Sequence, residues 1–393
     1  MHAIPCLEVS MERVMRFLGV AALVVIAAGS ASAQQIGKFV PIAAGSDEDK
    51  ALTEINATSD PAQKLALIDK FSANLGKGDV AIVADELYVN YYIGQKEYDK
   101  AFEYGDKLFA LDPDNFNNAV NMIRAANEKG DADKLMAYGE KAGDILQRYK
   151  AASAPSGTGN EIWERDKARA LEANKDNITY VEQSFYLAAS RTPNPAKRAE
   201  LLTKFAQSFP DSPYASQAVV VAAGAYEQAQ NGPKMLEVAN GVLAKDPNNI
   251  GMLLLLSDYY SDKGEQLAKA EASAKKVIEL LGAAQKPEGV SDEQWQQQVS
   301  LQRGLALSSL GQVNLEKKDN AAAVDNLKAA APLLKADESS FGRNQYRLGF
   351  ALLNLKKNAE AKEAFTQAAS VNSAYKALAQ AKLKTFAPTG KKS

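Results

Sequence analysis

The chain has 393 residues, with 46 Lys and Arg against 48 Asp and Glu, and 46% of its residues are hydrophobic. The two signs of charge are interspersed and form no basic patch, so we do not expect nucleic acid as a partner. The single His and the single Cys are His2 and Cys6. The rest of the chain therefore cannot build Cys/His zinc sites or histidine-based catalytic machinery. No convergent Asp/Glu constellation replaces them, so we expect no enzyme, cofactor or metal.

The N-terminal residues 1–33 have the pattern of a signal peptide. Arg13 and Arg16 precede an apolar run over residues 17–28, and a small-x-small cleavage pattern ends at Ala33. About 12 apolar residues are too few to cross a bilayer, so we expect no stable membrane span in the mature chain. No Cys follows the cleavage point and no twin-arginine pair precedes it, so we expect general secretory export and a periplasmic or secreted protein. Three methionines leave the start of translation open: Met1, Met11 and Met15.

The mature chain begins with a predicted helical pair over residues 47–75, and helix-turn-helix units of similar spacing follow it. The first unit carries Tyr88, Tyr92, Ala101, Leu108 and Pro113. The second unit carries Met122, Ala126, Gly130, Leu135, Gly139 and Ala142. Residues 151–160 are rich in turn-forming residues and predict a linker, after which Asn160 is placed to cap a helix near Trp163.

Further units fill the C-terminal half of the chain. A central unit carries Ala222, Ala223, Tyr226, Met235, Ala239 and Val242. Residues 282–290 interrupt the array, and Ser291 with Gln294 predicts a capping box for a long helix. The last two units share one spacing, with Leu310, Gly311, Ala323, Leu327 and Ala330 in one and Leu348, Gly349, Ala361, Phe365 and Ala368 in the other. A terminal helix over residues 374–384 should cover the last unit, and the tail beyond it should be disordered.

These units resemble the tetratricopeptide repeat, whose pattern reads Leu-Gly-x-x-Tyr, Ala-x-x-x-Phe and Pro. The resemblance implies an all-α, right-handed superhelical solenoid of about seven helix-turn-helix repeats, with a concave groove that binds other proteins or peptides. The string from Phe209 to Ala215 is similar to the bacterial cell-envelope branch, which implies a role in envelope assembly or maintenance. The predicted segments are 1–33 (signal peptide), 34–150 (N-terminal helical pair and repeats), 151–160 (linker), 161–283 (central repeats), 284–385 (C-terminal repeats with capping helix) and 386–393 (tail).

The resemblance also places polar side chains of the first helices in the groove. The candidates in the N-terminal units are Glu86, Asn90, Tyr91, Asn117, Asn121 and Arg124. Asn90 and Asn121 resemble two members of a clamp that some relatives use on a terminal carboxylate. The basic residues that would complete the clamp are missing from the next unit, where Ser184, Phe185 and Ala188 fall. Solvated polar side chains on a concave wall are the alternative interpretation.

Near the C-terminus, Arg343, Tyr346 and Arg347 share one helix face, which favours an acidic peptide or a carboxylate as ligand. The alternative there is an ion pair between repeats. For the whole protein we keep two alternatives to a specific scaffold. One is a holdase for exported chains, and the other is a glycan or small-molecule binder that uses Trp163 or Trp295. The sequence leaves the partner, the bound peptide, the oligomeric state and a hinge at residues 151–160 undetermined.

Overall fold

The computed structural model describes residues 35–287 and 289–386. The predicted signal peptide and nearly all of the predicted C-terminal tail lie outside these residues. The described chain divides into two compact units, each made of several helix pairs, between Asn231 and Gly232. From here on, the first unit is the part up to Asn231 and the second unit is the part from Gly232. The division falls within the predicted segment 161–283. Within the described ranges all regular structure is helical, and most helices pack against the next helix along the chain, with α7 the main exception in the first unit. The predicted all-α class with tetratricopeptide-type helix pairs is therefore confirmed.

The first unit comprises α1 (Asp47–Ala57), α2 (Pro61–Asn74), α3 (Val80–Gly94), α4 (Tyr98–Leu111), α5 (Phe116–Lys129), α6 (Ala132–Ala151), α7 (Asn160–Ala173), α8 (Lys175–Ser190), α9 (Pro195–Ser208) and α10 (Ala215–Gln228). The second unit comprises α11 (Gly232–Lys245), α12 (Ile250–Lys263), α13 (Leu267–Ala283), α14 (Asp292–Glu316), α15 (Asn320–Leu334), α16 (Glu338–Asn354), α17 (Asn358–Ser370) and α18 (Lys376–Lys384).

Helix starts follow the cap chemistry that the sequence indicates. Asp60 and Asn194 each accept a hydrogen bond from a first-turn amide, and each is followed by a proline whose missing N–H costs nothing there. The capping box of Ser291 is confirmed. The prediction for Asn160 is wrong, because this residue is the first of α7 and Gly159 occupies the cap position without a side-chain bond.

The linker between α6 and α7 is tied down by two side chains of α7. Lys167 is 8% exposed, and its ammonium donates to the backbone oxygens of Lys150 (3.0 Å) and Ala152 (3.2 Å). The indole Nε1 of Trp163 donates to the same Ala152 oxygen at 2.9 Å. Because these two carbonyls lie in the last turn and at the C-cap of α6, the two donors satisfy groups that a helix terminus leaves unpaired.

Small residues set how closely paired helices approach. A Cβ atom on Gly311 of α14 would lie 2.4 Å from Cγ of Leu327 on α15, and one on Gly349 of α16 would lie 2.6 Å from the Phe365 ring on α17. Only glycine fits at these crossings, which is the physical reason for the Leu-Gly element of the repeat pattern. Helix α18 closes the second unit by burying Ala379 against the last pair, as predicted for a terminal helix.

In the first unit, the first helices of successive pairs lie side by side. Helix α5 packs against α3 and α8, and α8 packs against α10. The second helices α4, α6 and α9 pack behind them. This layer of first helices carries the candidate side chains described next.

Candidate peptide-binding site

A row of polar side chains crosses the layer of first helices in the first unit. The Asn121 side-chain amide donates to Oδ1 of Asn90 across α5 and α3, at 3.4 Å. Arg124 donates to Oδ1 of Asn177 across α5 and α8, at 3.0 Å. We call Asn90, Asn121, Arg124 and Asn177, together with Tyr180, the amide ladder. The ladder brings together three of the residues predicted from the sequence.

Tyr180 extends the ladder along α8. Its ring lies under the Arg124 guanidinium, with 5.6 Å between the guanidinium carbon and the ring centroid, and its hydroxyl pairs with the Asn127 amide at 3.3 Å. Asn90, Arg124 and Asn127 are exposed, whereas Asn121, Asn177 and Tyr180 are half-buried. Arg124 has no carboxylate partner among the described residues, so its charge is balanced only by an amide oxygen and a ring face.

Sequence reasoning missed Asn177, Tyr180 and Asn127. The repeat frame placed Ser184, Phe185 and Ala188 at the positions of the missing basic clamp residues, but Phe185 is fully buried in the core against Phe205 and Phe209. Helix α7 is inserted between the pairs α5–α6 and α8–α9, so the distance along the chain no longer reports which residue of α8 faces α5. No local signal in the sequence marks Asn177 as the partner.

The other candidates of the N-terminal units lie outside the ladder. Glu86 is half-buried and accepts a hydrogen bond from the Asn115 side chain at 3.1 Å, so it turns toward the loop between α4 and α5. Burial raises the pKa of Glu86; the Asn115 bond opposes the rise and nearby Asp112 adds to it. Tyr91 is half-buried with its ring edge-on to Tyr92 at 5.2 Å. Asn117 is exposed one turn before Asn121.

The C-terminal candidates Arg343 and Arg347 take part in ion pairs between repeats, the alternative that the sequence left open. Arg343 Nη1 lies 2.5 Å from Asp258 Oδ2, and Arg347 Nη2 is hydrogen-bonded to Asp262 Oδ1. Arg347 is 5% exposed and also donates to the Ser308 hydroxyl at 3.2 Å. We call these four charged residues the Asp–Arg cluster; it joins α12, α14 and α16.

Electrostatics inside the cluster favour the ionised pairs. Burial alone would raise the pKa of Asp258, but Arg343 and Arg347 together outweigh burial and hold this pKa below its ordinary value. Tyr346, the remaining candidate, packs on aromatic rings, with centroid distances of 5.0 Å to Phe350 and 5.3 Å to Tyr375. A ligand would have to displace an aspartate to reach Arg347. Peptide binding at these three residues stays a prediction.

Two further observations bear on the chemistry of the described chain. Among residues 35–287 and 289–386, no three His, Cys, Asp or Glu side chains converge so as to hold a metal ion. None of the described helices combines the length and the apolar character needed to cross a bilayer.

Comparison with family models and with curated proteins yields no match. Solved structures with similar helical arrays include the tetratricopeptide domain of P58(IPK), at 12% identity and TM-score 0.27, covering 87% of this chain and 100% of that one. Yeast Tom70 matches at 12% identity and TM-score 0.30, covering 86% and 94%. The Cut9–Hcn1 hetero-tetramer of APC/C matches at 13% identity and TM-score 0.21, covering 82% and 92%. Scores this low carry no argument about function.

The geometry of the amide ladder favours recognition of a polypeptide backbone. A side-chain amide offers one acceptor and two donor hydrogens, which complement the C=O and N–H groups of an extended peptide. Packed helices lie about 8–10 Å apart, and an extended chain rises about 3.3 Å per residue. The ladder side chains of one helix can therefore bond to about every third residue of an extended ligand. The exposed charge of Arg124 adds a preference for a carboxylate beside one rung.

Proposed function

We propose that this protein is an exported, non-enzymatic scaffold that binds an extended segment of a partner protein along the amide ladder. The observation that carries the proposal is the row of side-chain contacts from Asn90 to Asn121 and from Arg124 to Asn177, which spans three successive first helices. Repeat arrays present such rows as extended binding surfaces. The signal-peptide pattern of residues 1–33 supports export, and the similarity at residues 209–215 supports a role in cell-envelope assembly or maintenance.

The amide ladder contributes both affinity for a bound segment and a preference for one chemical group in it. The amides recognise main-chain groups, which every sequence has, so they contribute affinity without selecting side chains. Arg124 is exposed and unpaired with any described carboxylate, so a carboxylate of the ligand forms a charge-assisted hydrogen bond there. We therefore expect the preferred partner segment to carry an Asp, a Glu or a free C-terminus.

The first test is affinity capture from envelope extract with residues 34–393, which include every residue that the structure describes. A second bait carries Asn90→Ala, Asn121→Ala and Arg124→Ala. A control bait carries Asn240→Ala and Arg191→Ala, which change one exposed Asn and one exposed Arg away from the ladder. Captured proteins are then mapped with overlapping peptides, and the affinity of the best peptide is measured by calorimetry.

The proposal predicts a small set of partners that the ladder variant loses and the control variant keeps. Loss of the charge-assisted bond of Arg124 should weaken the mapped peptide by about tenfold, and loss of the neutral amides of Asn90 and Asn121 should weaken it further. Capture of many unrelated exported proteins, equally by all three baits, would favour a holdase and contradict the ladder as the binding site.

A further inference from the structure

The segment before α1 is bound in a cleft of the first unit. We call residues 35–38 the strap. Ile36 is 1% exposed within the main core, and its backbone oxygen accepts from the Phe116 N–H at 3.1 Å. The Lys38 N–H donates to Oδ2 of Asp112 at 2.8 Å. Gly37 has φ +125°, and a Cβ atom there would lie 2.7 Å from the same carboxylate. The strap bends at Ile36 and Gly37, and it is held by one apolar anchor and two main-chain hydrogen bonds.

The loop that binds the strap has a counterpart later in the same unit. Pro113, Asp114 and Asn115 close the pair α3–α4, and Pro210, Asp211 and Ser212 close the pair α8–α9. Each loop hydrogen-bonds a glutamate on the first helix of its own pair. Asn115 donates to Glu86 at 3.1 Å, and Ser212 donates to Glu182 at 2.9 Å. An isoleucine stands four residues before each glutamate, Ile82 in α3 and Ile178 in α8. The two clefts therefore share one framework.

The second cleft is open where the first is filled. It forms a cavity of about 450 Å³ between the end of α6, helix α8 and the loop after α9. Its apolar wall consists of Leu146, Ile178 and Phe209. Ile178 is half-buried, whereas the matching Ile82 is 2% exposed. Leu146 and Phe209 are each 4% exposed, so Ile178 supplies the accessible apolar surface of this wall, and burying it on a ligand is favourable.

The charges of the second cleft indicate the sign of its ligand. Lys150 at the rim is paired with Asp211 at 2.8 Å. Glu182 has the Ser212 hydroxyl as its hydrogen-bond donor and no ion pair within the described residues. Partial burial raises the pKa of this carboxyl, with the Ser212 bond and Lys150 opposing the rise. Phe209 stands where the first cleft has Asp112, so Glu182 is the acceptor left for a cation or an N–H group.

We propose that the cleft between the end of α6, helix α8 and the loop 208–212 binds an extended segment of a partner polypeptide, with an aliphatic side chain on Ile178 and Phe209 and a nearby basic residue on Glu182. The strap shows the corresponding loop holding a short segment by a buried isoleucine, Ile36, and by main-chain hydrogen bonds, whereas the Lys38 ammonium lies 3.8 Å from Asp79. Ile178 and Glu182 lie on a different side of α8 from Asn177 of the ladder, so this site does not depend on the proposed function.

The test uses residues 34–393 with Trp295→Phe, which leaves Trp163 as the single tryptophan of the protein. Trp163 stacks edge-on with Tyr149 at 5.9 Å and is bonded to the Ala152 oxygen, beside the cleft. The probe is a capped peptide of residues 35–40 (Gln-Ile-Gly-Lys-Phe-Val), titrated while Trp163 fluorescence is followed. A photoreactive analogue at the isoleucine position is cross-linked, and the attachment site is mapped by mass spectrometry.

Three protein variants and one altered peptide sharpen the test. Ile178→Asp should weaken binding by at least about tenfold, since burial of one aliphatic side chain is lost. Glu182→Gln keeps the shape and should weaken binding by about fivefold or more, since only the charge is removed. Leu187→Asp is the matched control, an exposed leucine elsewhere on α8, and should bind as the parent does. A peptide with Glu at the Lys38 position should bind weakly to all of them.

Cross-links to residues 146–151 or 208–212, together with this order of affinities, would support the second cleft. Cross-links confined to residues 112–116 would show that the peptide merely exchanges with the strap, and would overturn the proposal. Equal binding by the parent, Ile178→Asp and Glu182→Gln, or no saturable signal, would overturn it as well. The ladder variant of the capture experiment should bind this peptide normally, so failure at one site is distinguishable from failure at the other.

Discussion

Replacing Arg347 with Met tests whether the Asp–Arg cluster stabilises the second unit. Arg347 is 5% exposed and serves both Asp262 and, at 3.6 Å, Asp258. Removing one partner of a fully buried ion pair costs about 3–5 kcal/mol. The Asp262 side chain is 42% exposed and regains water, and Asp258 keeps Arg343 at 2.5 Å. We therefore expect the Arg347→Met variant to lose about 2–3 kcal/mol of unfolding free energy at neutral pH.

The pH dependence of this loss has a definite sign. The folded-state pKa of Asp258 is held below its ordinary value, so the carboxylate contributes stability above its unfolded pKa of about 3.9 and loses that contribution as the pH falls through the folded value. Arg347→Met removes one of the two cations that lower this pKa. The stability difference between the parent and the variant should therefore be largest near neutral pH and shrink below about pH 4.

The assay is urea unfolding followed by circular dichroism, with hydrogen exchange of the α12, α14 and α16 amides, because repeat arrays can depart from two-state unfolding. Lys317→Met serves as control; it removes an ion pair between an exposed lysine and the half-buried Glu271 and should cost less than about 1 kcal/mol. A loss for Arg347→Met no larger than the control's, or a difference independent of pH, would refute the reasoning.

Three further predictions follow from packing and targeting. Gly349→Ala should destabilise the second unit by about 1–3 kcal/mol in urea unfolding. The control Gly224→Ala has open space around the added Cβ and should be neutral or stabilising. Equal effects of the two changes would contradict the close approach of α16 and α17. Ile36→Asp should release the strap, so the Phe116 amide should lose protection in hydrogen exchange; unchanged protection would argue against the strap. Ala33→Phe should leave uncleaved precursor by immunoblot, and normal processing would move the cleavage site elsewhere.

Much of the fold could be predicted because helix ends and helix pairing depend on residues that are close together in the sequence. Helix caps involve residues three positions apart, such as Ser291 with Gln294, and the pairing of helices follows from small residues recurring at one spacing. The packing roles of Tyr88 and Tyr92, 6% and 7% exposed, follow from the same spacing. The predicted export signal also rests on a local pattern, although its residues lie outside the described structure.

The amide ladder, the Asp–Arg cluster and the strap depend on contacts between residues far apart in the chain, which no local sequence pattern predicts. Arg124 meets Asn177 across 53 residues, because α7 interrupts the repeat spacing between them. Arg343 and Arg347 each pair with an aspartate 85 residues away, which the spacing of neighbouring repeats does not predict. The strap binds Asp112 across 74 residues through a backbone N–H, a group that every residue except proline has.

By itself, the sequence determined the helical repeats, their caps and the positions where only small residues fit, because each depends on neighbours within one helix or one pair. Tertiary structure alone decided which polar side chains meet across pairs, which arginines are neutralised by aspartates, and which of two similar clefts is filled. The physical reason is that polar pairing depends on the relative rotation of packed helices. An inserted helix or a single extra loop residue changes that rotation without altering any local pattern.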